Sequence, residues 1–417
     1  MREMKDSGIE WIGKIPKEWS VCRVKNFYCS HKDIVGEKSD VYDRLALTLN
    51  GVVKRSKDDS VGLQPEAFNG YQILRSNELV FKLIDLANIS TSRVGLSPYE
   101  GIVSPAYIIL SPKTDFCQKF AEYYFLSMWQ REVFNHLGDD GVRSSLNASD
   151  LLNTPFIYPP ITEQKKIVDY LNDKCTEIDA VLERTRVSID EYKKLKQAVI
   201  TQAVTKGIRG DRPMKDSGIE WIGEIPKEWI VRKGKWFLKL LDRPVVKTDG
   251  VITCFRDGEV TLRSNRREDG FTFSLQEVGY QGIEKGDLVV HGMDGFAGAI
   301  GISDSRGKGT PVLNVLDSLE CKKYVMYYLR SMAYNGVFIS LSTGIRVRSC
   351  DTNWNKLRNL LYPLPSLQEQ VEIASYLDAK CTEIDNLISK KEQYITEIEN
   401  YKKSLIYEYV TGKKEVI

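Results

Sequence analysis

The chain has 417 residues, which suits two to three domains. It is 42% hydrophobic and 28% charged, with a net charge of +2. This excludes a strongly basic nucleic-acid coat but not a reader whose positive charge lies on one face. Eight cysteines without a CxxC pair and only three histidines argue against a structural zinc site and for reduced thiols.

No run approaches 18 apolar residues, and MREMKDSGIEW has no signal-peptide core, so a soluble cytoplasmic protein without a membrane segment is expected. Residues 4–19 read MKDSGIEWIGKIPKEW, and residues 214–229 repeat them with one change, Lys14 becoming Glu224. Gly, Pro and two Trp exclude a regular helix. The stretch is expected to be a loop-like strap, clamped by Trp11 and Trp19 in one copy and by Trp221 and Trp229 in the other, and stiffened by Pro16 and Pro226.

Residues 20–160 form a first globular block. Short β-type runs at 44–49, 78–83 and 101–110 are broken by Asn50-Gly51, Asn69-Gly70 and Ser97-Pro98. Helical spacing of Phe120, Tyr124, Phe125, Met128 and Trp129 predicts a core-packing helix within 116–134. Residues 141–145 read as an exposed loop, and residues 155–160 lead into a long polar helix.

That helix carries an apolar seam: Leu171, Ile178, Tyr192 and Val199 at sevenfold spacing, with Leu182 and Ile189 between them. The seam recurs as Leu377, Ile384, Ile388, Ile395, Ile398 and Leu405. KCTEID at 174–179 returns unchanged at 380–385, Glu163-Gln164 as Glu369-Gln370, and Val204-Thr205 as Val410-Thr411. About 45 residues repeat at a constant offset, giving two helices of roughly 60–70 Å each. Each seam needs a partner, and the other copy is the obvious one. Cys175 and Cys381 read as small seam residues. Ser366-Leu367-Gln368-Glu369 predicts a capping box on the second helix, whereas Pro160 replaces the serine on the first. Gly207 and Gly412 suit left-handed helix ends.

Residues 230–365 repeat the first block loosely. Gly51, Glu78-Leu79-Val80, Asp85 and Gly95 correspond to Gly258, Asp287-Leu288-Val289, Asp294 and Gly301, and Gly141-Val142-Arg143 to Gly344-Ile345-Arg346. Framework positions agree while the loops differ, so one fold is used twice with different surface chemistry. The expected class is α+β: two globular domains separated by a pair of long antiparallel coiled-coil helices in a pseudo-two-fold internal repeat. The expected divisions are 1–160 (strap and first block), 161–208 (central helix), 209–365 (strap and second block) and 366–417 (C-terminal helix). By symmetry, helix two should end beside the first strap, with the two blocks at opposite ends of the helical pair.

No catalytic constellation emerges. GISDSRGK at 301–308 has five residues between its glycines and lacks the Ser or Thr of a phosphate loop. Residues 295–301 lack GxGxxG spacing and read as strand and turn. Ser104-Pro105-Ala106-Tyr107 lacks the adjacent prolines of the amino-methyltransferase tetrapeptide. His31, His136 and His291 have no partner at a metal or nucleophile spacing, and Asp58-Asp59 and Asp139-Asp140 sit in turn-like surroundings. No metal site is expected.

Basic side chains in the variable loops remain. In the first block these are Lys54, Arg55, Lys57, Arg75, Arg93 and Arg143. In the second they are Arg256, Arg263, Arg266, Arg267, Arg306, Lys308, Arg346 and Arg348, with His291 as a further candidate reader of base edges. Arginine reads guanine bidentately, and either cation neutralises phosphate. Asp85 and Asp294 could accept from cytosine or cap a turn.

The openings KDSGIEWIG-x-IPKEW, the Tyr-Pro…Glu-Gln approaches to both helices, the KCTEID segments and the VTKG or VTGK endings resemble the specificity subunit of type I restriction–modification systems. The resemblance spans essentially the whole chain. It implies two target recognition domains, each reading half of a bipartite DNA site. It further implies helices that act as spacer and as docking surface for methyltransferase subunits, expected to be two, and a restriction–translocase subunit that joins them. S-adenosylmethionine, ATP and Mg are then expected only in the partner subunits, and no catalysis in this chain alone. A coiled-coil adaptor with protein-binding ends, or a free-standing DNA-modifying enzyme, are the alternatives.

Overall fold

The computed structural model describes residues 2–59, 65–84, 86, 93–137, 145–266, 278–341 and 352–416. It resolves into two compact units, 1–185 with 393–417, and 186–392. Each unit therefore holds one globular block and a stretch of both long helices, a division that cuts across the chain-order one.

The long helices are Ile161–Lys206 and Leu367–Val410. In the first unit they run antiparallel: Lys402 pairs with Asp179 at 2.6 Å, and the Tyr170 and Tyr409 rings lie 4.5 Å apart. In the second unit Lys196 pairs with Asp385 at 2.6 Å and Lys391 lies over the Tyr192 ring, again antiparallel. All twelve seam positions are buried or half-buried, as are Cys175 and Cys381. Ile200, Ala203, Val204 and Ile373, outside the sevenfold series, are buried as well, because the seam widens where it meets a globular core.

Each block is built on a four-stranded antiparallel sheet. In the first block the order is Tyr28–Ser30, Ile108–Pro112, Leu79–Lys82, Arg93–Leu96. In the second it is Leu238–Leu240, Leu313–Ser318, Leu288–His291, Ile300–Ile302. The second strand in chain order is buried on both faces, which its apolar run requires. Leu79 and Phe81 face the core shared with helix Gln118–Gln130 and the long helices, while Val80 faces a smaller core under the hairpin Leu45–Thr48/Gly51–Lys54. Leu288 and Val290, against Val289, repeat this division, with the hairpin Ile252–Cys254/Val260–Leu262 over the second face. Gly301 is required here: a Cβ would lie 2.0 Å from the Gly258 carbonyl oxygen.

The incoming and outgoing strands of each block pair with each other, Ser20–Arg23 with Pro155–Tyr158 and Ile230–Lys233 with Leu361–Leu364. The Glu-Gln pair then fixes the block to its helix. Gln164 donates to Pro159 O at 2.8 Å and accepts from Cys117 N at 3.1 Å, and Gln370 does the same with Pro365 O and Cys321 N, both at 3.0 Å. Both glutamines are fully buried, so both ends of each amide are satisfied.

Several expectations need correction. The straps are β-hairpins, Met4–Asp6 with Lys14–Pro16 and Met214–Asp216 with Glu224–Pro226. Only Trp19 and Trp229 are core residues; Trp11 is half-buried and Trp221 is 39% exposed. The 101–110 run is two strands, because Ser104-Pro105 turns the chain. The turn-and-strand reading of residues 295–301 stands, as a short 3₁₀ turn at Gly295–Ala297 followed by the strand Ile300–Ile302. The capping box is half made. Ser366 Oγ accepts Glu369 N–H at 3.3 Å, but the Glu369 carboxylate binds Arg212 and Trp229 instead of its own helix end. The left-handed glycines stand, at φ 78° for Gly207 and 68° for Gly412. Helix two does end at the first strap: Lys413 Nζ donates to Ile12 O at 2.7 Å.

Candidate nucleic-acid interface

The straps carry a charged lock that motif reading missed. Arg2 donates to both Glu163 oxygens, Glu163 accepts the Trp19 indole N–H at 2.9 Å, and the guanidinium lies 5.5 Å from the indole centroid. Arg212, Glu369 and Trp229 repeat it at 2.7, 3.2 and 5.3 Å. The hydrogen bond to Glu163 holds Arg2 firmly protonated. This repeated device fixes each hairpin to the start of a long helix, and with it the base of each globular block. Arg2 and Arg212 share one offset with the strap repeat, a signal present in the sequence.

In the second block four candidates converge. Arg256, Arg263, Arg266 and His291 line one cavity of about 600 Å³ with Phe255, Asp257 and Asp294. The hairpin turn supplies Arg256, the 3₁₀ turn Arg263–Asn265 that follows the hairpin supplies Arg263 and Arg266 at its end, and the central strand supplies His291 at its C-terminal end. Arg263 Nε donates to Thr253 at 3.0 Å. Arg266 spans Asp257 at 2.6 Å and Glu259 at 2.9 Å and lies 4.1 Å from the Phe255 centroid. Arg256, 65% exposed, pairs with Asp294 at 2.9 Å. These carboxylates hold the Arg256 and Arg266 guanidinium groups in place, while Arg263 is held by a neutral hydroxyl. His291 Nδ1 accepts N–H bonds from Met293 and Asp294, so the neutral ring keeps its proton on Nε2. Burial lowers the His291 pKa; Asp294 opposes that shift and Arg256 adds to it. The Cys254 thiol in the same wall is pushed up to about 12 by burial, which makes it a poor nucleophile. The arrangement is one of charged and aromatic donors around a groove, suited to phosphates and base edges.

Two further candidates of that block lie outside the cavity. Arg306 binds Asp249 at 3.2 Å and Glu284 at 2.6 Å, and Lys308 lies on the strand Gly307–Gly309. In the first block Lys54 pairs with Asp43 at 2.6 Å, Arg55 with Asp59 at 2.7 Å, and Lys57 donates to Ser39 O at 2.8 Å. Arg75 binds Asp33 at 2.6 Å, and Arg93 is half-buried on its strand. Arg143, Arg267, Arg346, Arg348 and Asp85 lie outside the described residues. Asp294 stands at the N-cap of the 295–297 turn through its backbone carbonyl alone, and its carboxylate holds Arg256, so it serves the arginine that faces the cavity.

The first block has a groove of about 730 Å³ lined by Lys25, His31, Lys32, Asn147, Ser149 and Asn153, among others. None of the described basic candidates named for that block lines it. Lys25 lies in the 3₁₀ turn Val24–Asn26 and Lys32 just past the strand Tyr28–Ser30, both far in sequence from Ser149, and only folding joins them. Among the described residues there is no His/Cys/Asp/Glu group that could hold a metal, and no helix long and apolar enough to cross a membrane.

Residues 37–184 match the family described as the type I restriction modification DNA specificity domain. The chain is 24% identical to a putative type I restriction enzyme MjaX specificity subunit of Methanocaldococcus jannaschii, covering 97% of this chain and 96% of that protein. It is also 24% identical to the type I restriction enzyme MjaVIII specificity subunit of the same organism, covering 97% and 94%. A chain solved in a study of the complex assembly and conformational transition of the type I R–M system has the same fold. It superposes with a TM-score of 0.68 at 13% identity, over 96% of this chain and 99% of that one.

Proposed function

We propose that this chain, which belongs to the specificity subunits of type I restriction–modification systems, reads a bipartite DNA target with one half assigned to each globular block. The specificity subunit is the non-catalytic member of such a complex and works with DNA and with the other restriction–modification subunits. The observation that carries the two-reader assignment is the duplication itself. Two blocks share a sheet order and an Arg–Glu–Trp lock, yet the groove of the second is built around its hairpin and that of the first around Tyr28–Ser30 and Ala148–Asn153, with different side chains. A repeated scaffold with unlike reading surfaces suits two unlike half-sites.

In the second block, Arg256, Arg263, Arg266 and His291 would contact base edges and phosphates, with Arg306 and Lys308 at the flank, and Arg267, Arg346 and Arg348 share this role. In the first block, Lys54, Arg55, Lys57, Arg93 and Arg143 take this role, joined by Lys25 and Lys32. The long helices set the separation of the half-sites, and their polar outer faces seat methyltransferase subunits, two in number, with a restriction–translocase subunit completing the assembly. S-adenosylmethionine, ATP and Mg belong to those partners, and the complex works in the cytoplasm. Two weak half-sites on one spacer combine through effective concentration.

The test is duplex binding by the chain in complex with its methyltransferase subunits. Sequence-selective binding that weakens steeply with salt is expected. Binding without sequence preference, or cleavage or methyl transfer by the chain alone, overturns the assignment.

A further inference from the structure

Both blocks carry a hairpin whose turn holds a left-handed glycine, Gly51 in the first and Gly258 in the second, each at φ 92°. The two turns are held differently. A Cβ at Gly51 would meet nothing within 4 Å among the described residues, whereas at Gly258 it would lie 2.5 Å from Nη1 and 2.6 Å from Cζ of Arg330. Arg330 belongs to the block helix Lys322–Tyr334. Its Nη2 donates to the Asp257 carbonyl at 2.5 Å, and its Nε donates to the Tyr334 hydroxyl at 2.9 Å. Tyr334 in turn stands over Gly298, where a Cβ would lie 3.6 Å from the tyrosine ring and 2.7 Å from the Arg256 carbonyl oxygen. One pair of side chains thus braces both the turn that carries Arg256 and Asp257 and the turn that follows Asp294. These are the turns that hold the cavity arginines, since Arg256 pairs with Asp294 and Arg266 with Asp257. Burial pushes the Asp257 carboxyl up, but bonds from Arg266 and the Glu259 N–H hold it below the usual carboxylate range, and the Arg330 charge adds to that. Neither Arg330 nor Tyr334 lines the cavity; both stand behind its wall. The equivalent positions on the first block's helix Gln118–Gln130 are Leu126, which has no donor, and Gln130.

We infer that Arg330, backed by Tyr334, is a positioning residue for DNA reading by the second block: it fixes the Asp257–Gly258 turn, and through it the aim of Arg256 and Arg266, without touching DNA itself. This rests on the proposal that the cavity reads the second half-site, and it adds what holds the reading arginines in place. A guanidinium suits the task because its planar fork donates in several directions at once, here to a carbonyl on one element and a hydroxyl on another. The arginines in the cavity are long and flexible, and their partner carboxylates direct them only if the backbone bearing those carboxylates is itself fixed. Gly258 lets the guanidinium come close enough to do so, as a side chain there would occupy its place. The first block, with Leu126 at this position, holds its hairpin by other means, so the device serves one half-site and not the other.

The test compares R330M with the wild-type chain, each in complex with its methyltransferase subunits, by competition binding with duplexes altered in one half at a time. Discrimination at the half-site read by the second block should fall about tenfold, within the range of one well-placed base contact. Discrimination at the other half-site should stay as in wild type. The salt dependence of binding should also stay, because Arg330 neutralises no phosphate. Y334F keeps the ring over Gly298 but removes the acceptor for Arg330, so it should lower the same discrimination by less, and it serves if R330M folds poorly. Hydrogen exchange gives a reading independent of DNA. In both variants the Phe255 and Gly258 amides, which are bonded within the turn, should exchange faster, while those of the strand Leu288–His291 keep their wild-type protection. Wild-type discrimination by both variants overturns the inference. So does a shallower salt dependence for R330M, which would make Arg330 a phosphate contact, and so does faster exchange throughout the second block, which would make it a general support of the fold. A wild-type complex without selectivity at either half would instead overturn the proposed function, and the exchange comparison would still decide whether Arg330 holds the turn.

Discussion

Glu163 accepts the indole N–H of Trp19 at 2.9 Å, closing a strap onto a helix 144 residues away in sequence. Glu369 does the same for Trp229, and each carboxylate also binds an arginine, Arg2 or Arg212. In the second copy the lock is nearly dry, with the Glu369 side chain 4% exposed and Arg212 11% exposed. E369Q leaves that guanidinium short of its buried counter-charge and should destabilise the second unit by about 3 kcal/mol. The Arg2–Glu163 pair is more exposed, at 15% and 21%, so E163Q should cost less, about 1–2 kcal/mol. Urea unfolding followed by tryptophan fluorescence checks both, and wild-type midpoints for both variants would contradict the lock.

His291 yields a pH prediction with a definite sign. Its folded pKa lies below the ordinary histidine value, because burial disfavours the charged ring. The unfolded chain therefore binds more protons than the folded one between the depressed pKa and about 6.5, and stability rises with pH across that window. Protonation would also put a hydrogen where Nδ1 accepts from Met293 and Asp294. Unfolding of the second unit should become easier as pH falls through that window, and H291Q should flatten the slope. Nitrogen NMR should show the neutral ring protonated on Nε2; protonation on Nδ1 would contradict the geometry.

Arg263 separates base or phosphate reading from structure. R263A should weaken duplex binding by about 1–3 kcal/mol, with relaxed selectivity confined to the half-site read by the second block. K54A, in the first block, should leave that half-site unchanged. Competition binding with duplexes altered in one half at a time measures both effects.

Gly301 tests the sheet–hairpin contact. A methyl group there meets the Gly258 carbonyl oxygen, and G301A should destabilise the second unit by about 1–3 kcal/mol. Gly210 has nothing within 4 Å of an added Cβ, so G210A should be neutral. Equal midpoints for the two variants would contradict the close approach.

The parts of the fold readable in sequence are those with a periodic signal. Seam residues such as Leu171 and Leu377 repeat every seven positions, and the repeated KCTEID fixes the correspondence of the two helices. What escaped reading depends on contacts between distant segments. The Glu369 carboxylate has the spacing of a capping box, but a buried Arg212 and Trp229 compete for it and win, since leaving them unpaired would cost more than an exposed helix end. Trp11 and Trp221 occupy identical sequence contexts, yet their surroundings differ because Tyr407 and Thr201 stand on the opposing helix. Arg263 and Arg266 were legible as a cluster because they are neighbours in sequence, whereas folding brings Arg256 and His291 to the same cavity. Lys25 and Lys32 were not legible, because their groove is assembled from segments more than 100 residues apart.

The most direct test of two independent readers is to exchange residues 20–158 for those of a relative with a different target and map methylated bases across the genome of a host carrying the complete system. One half of the methylated target should change, with the other half and the spacing between them kept. A change in both halves, or in neither, would contradict the assignment of one half-site to each block.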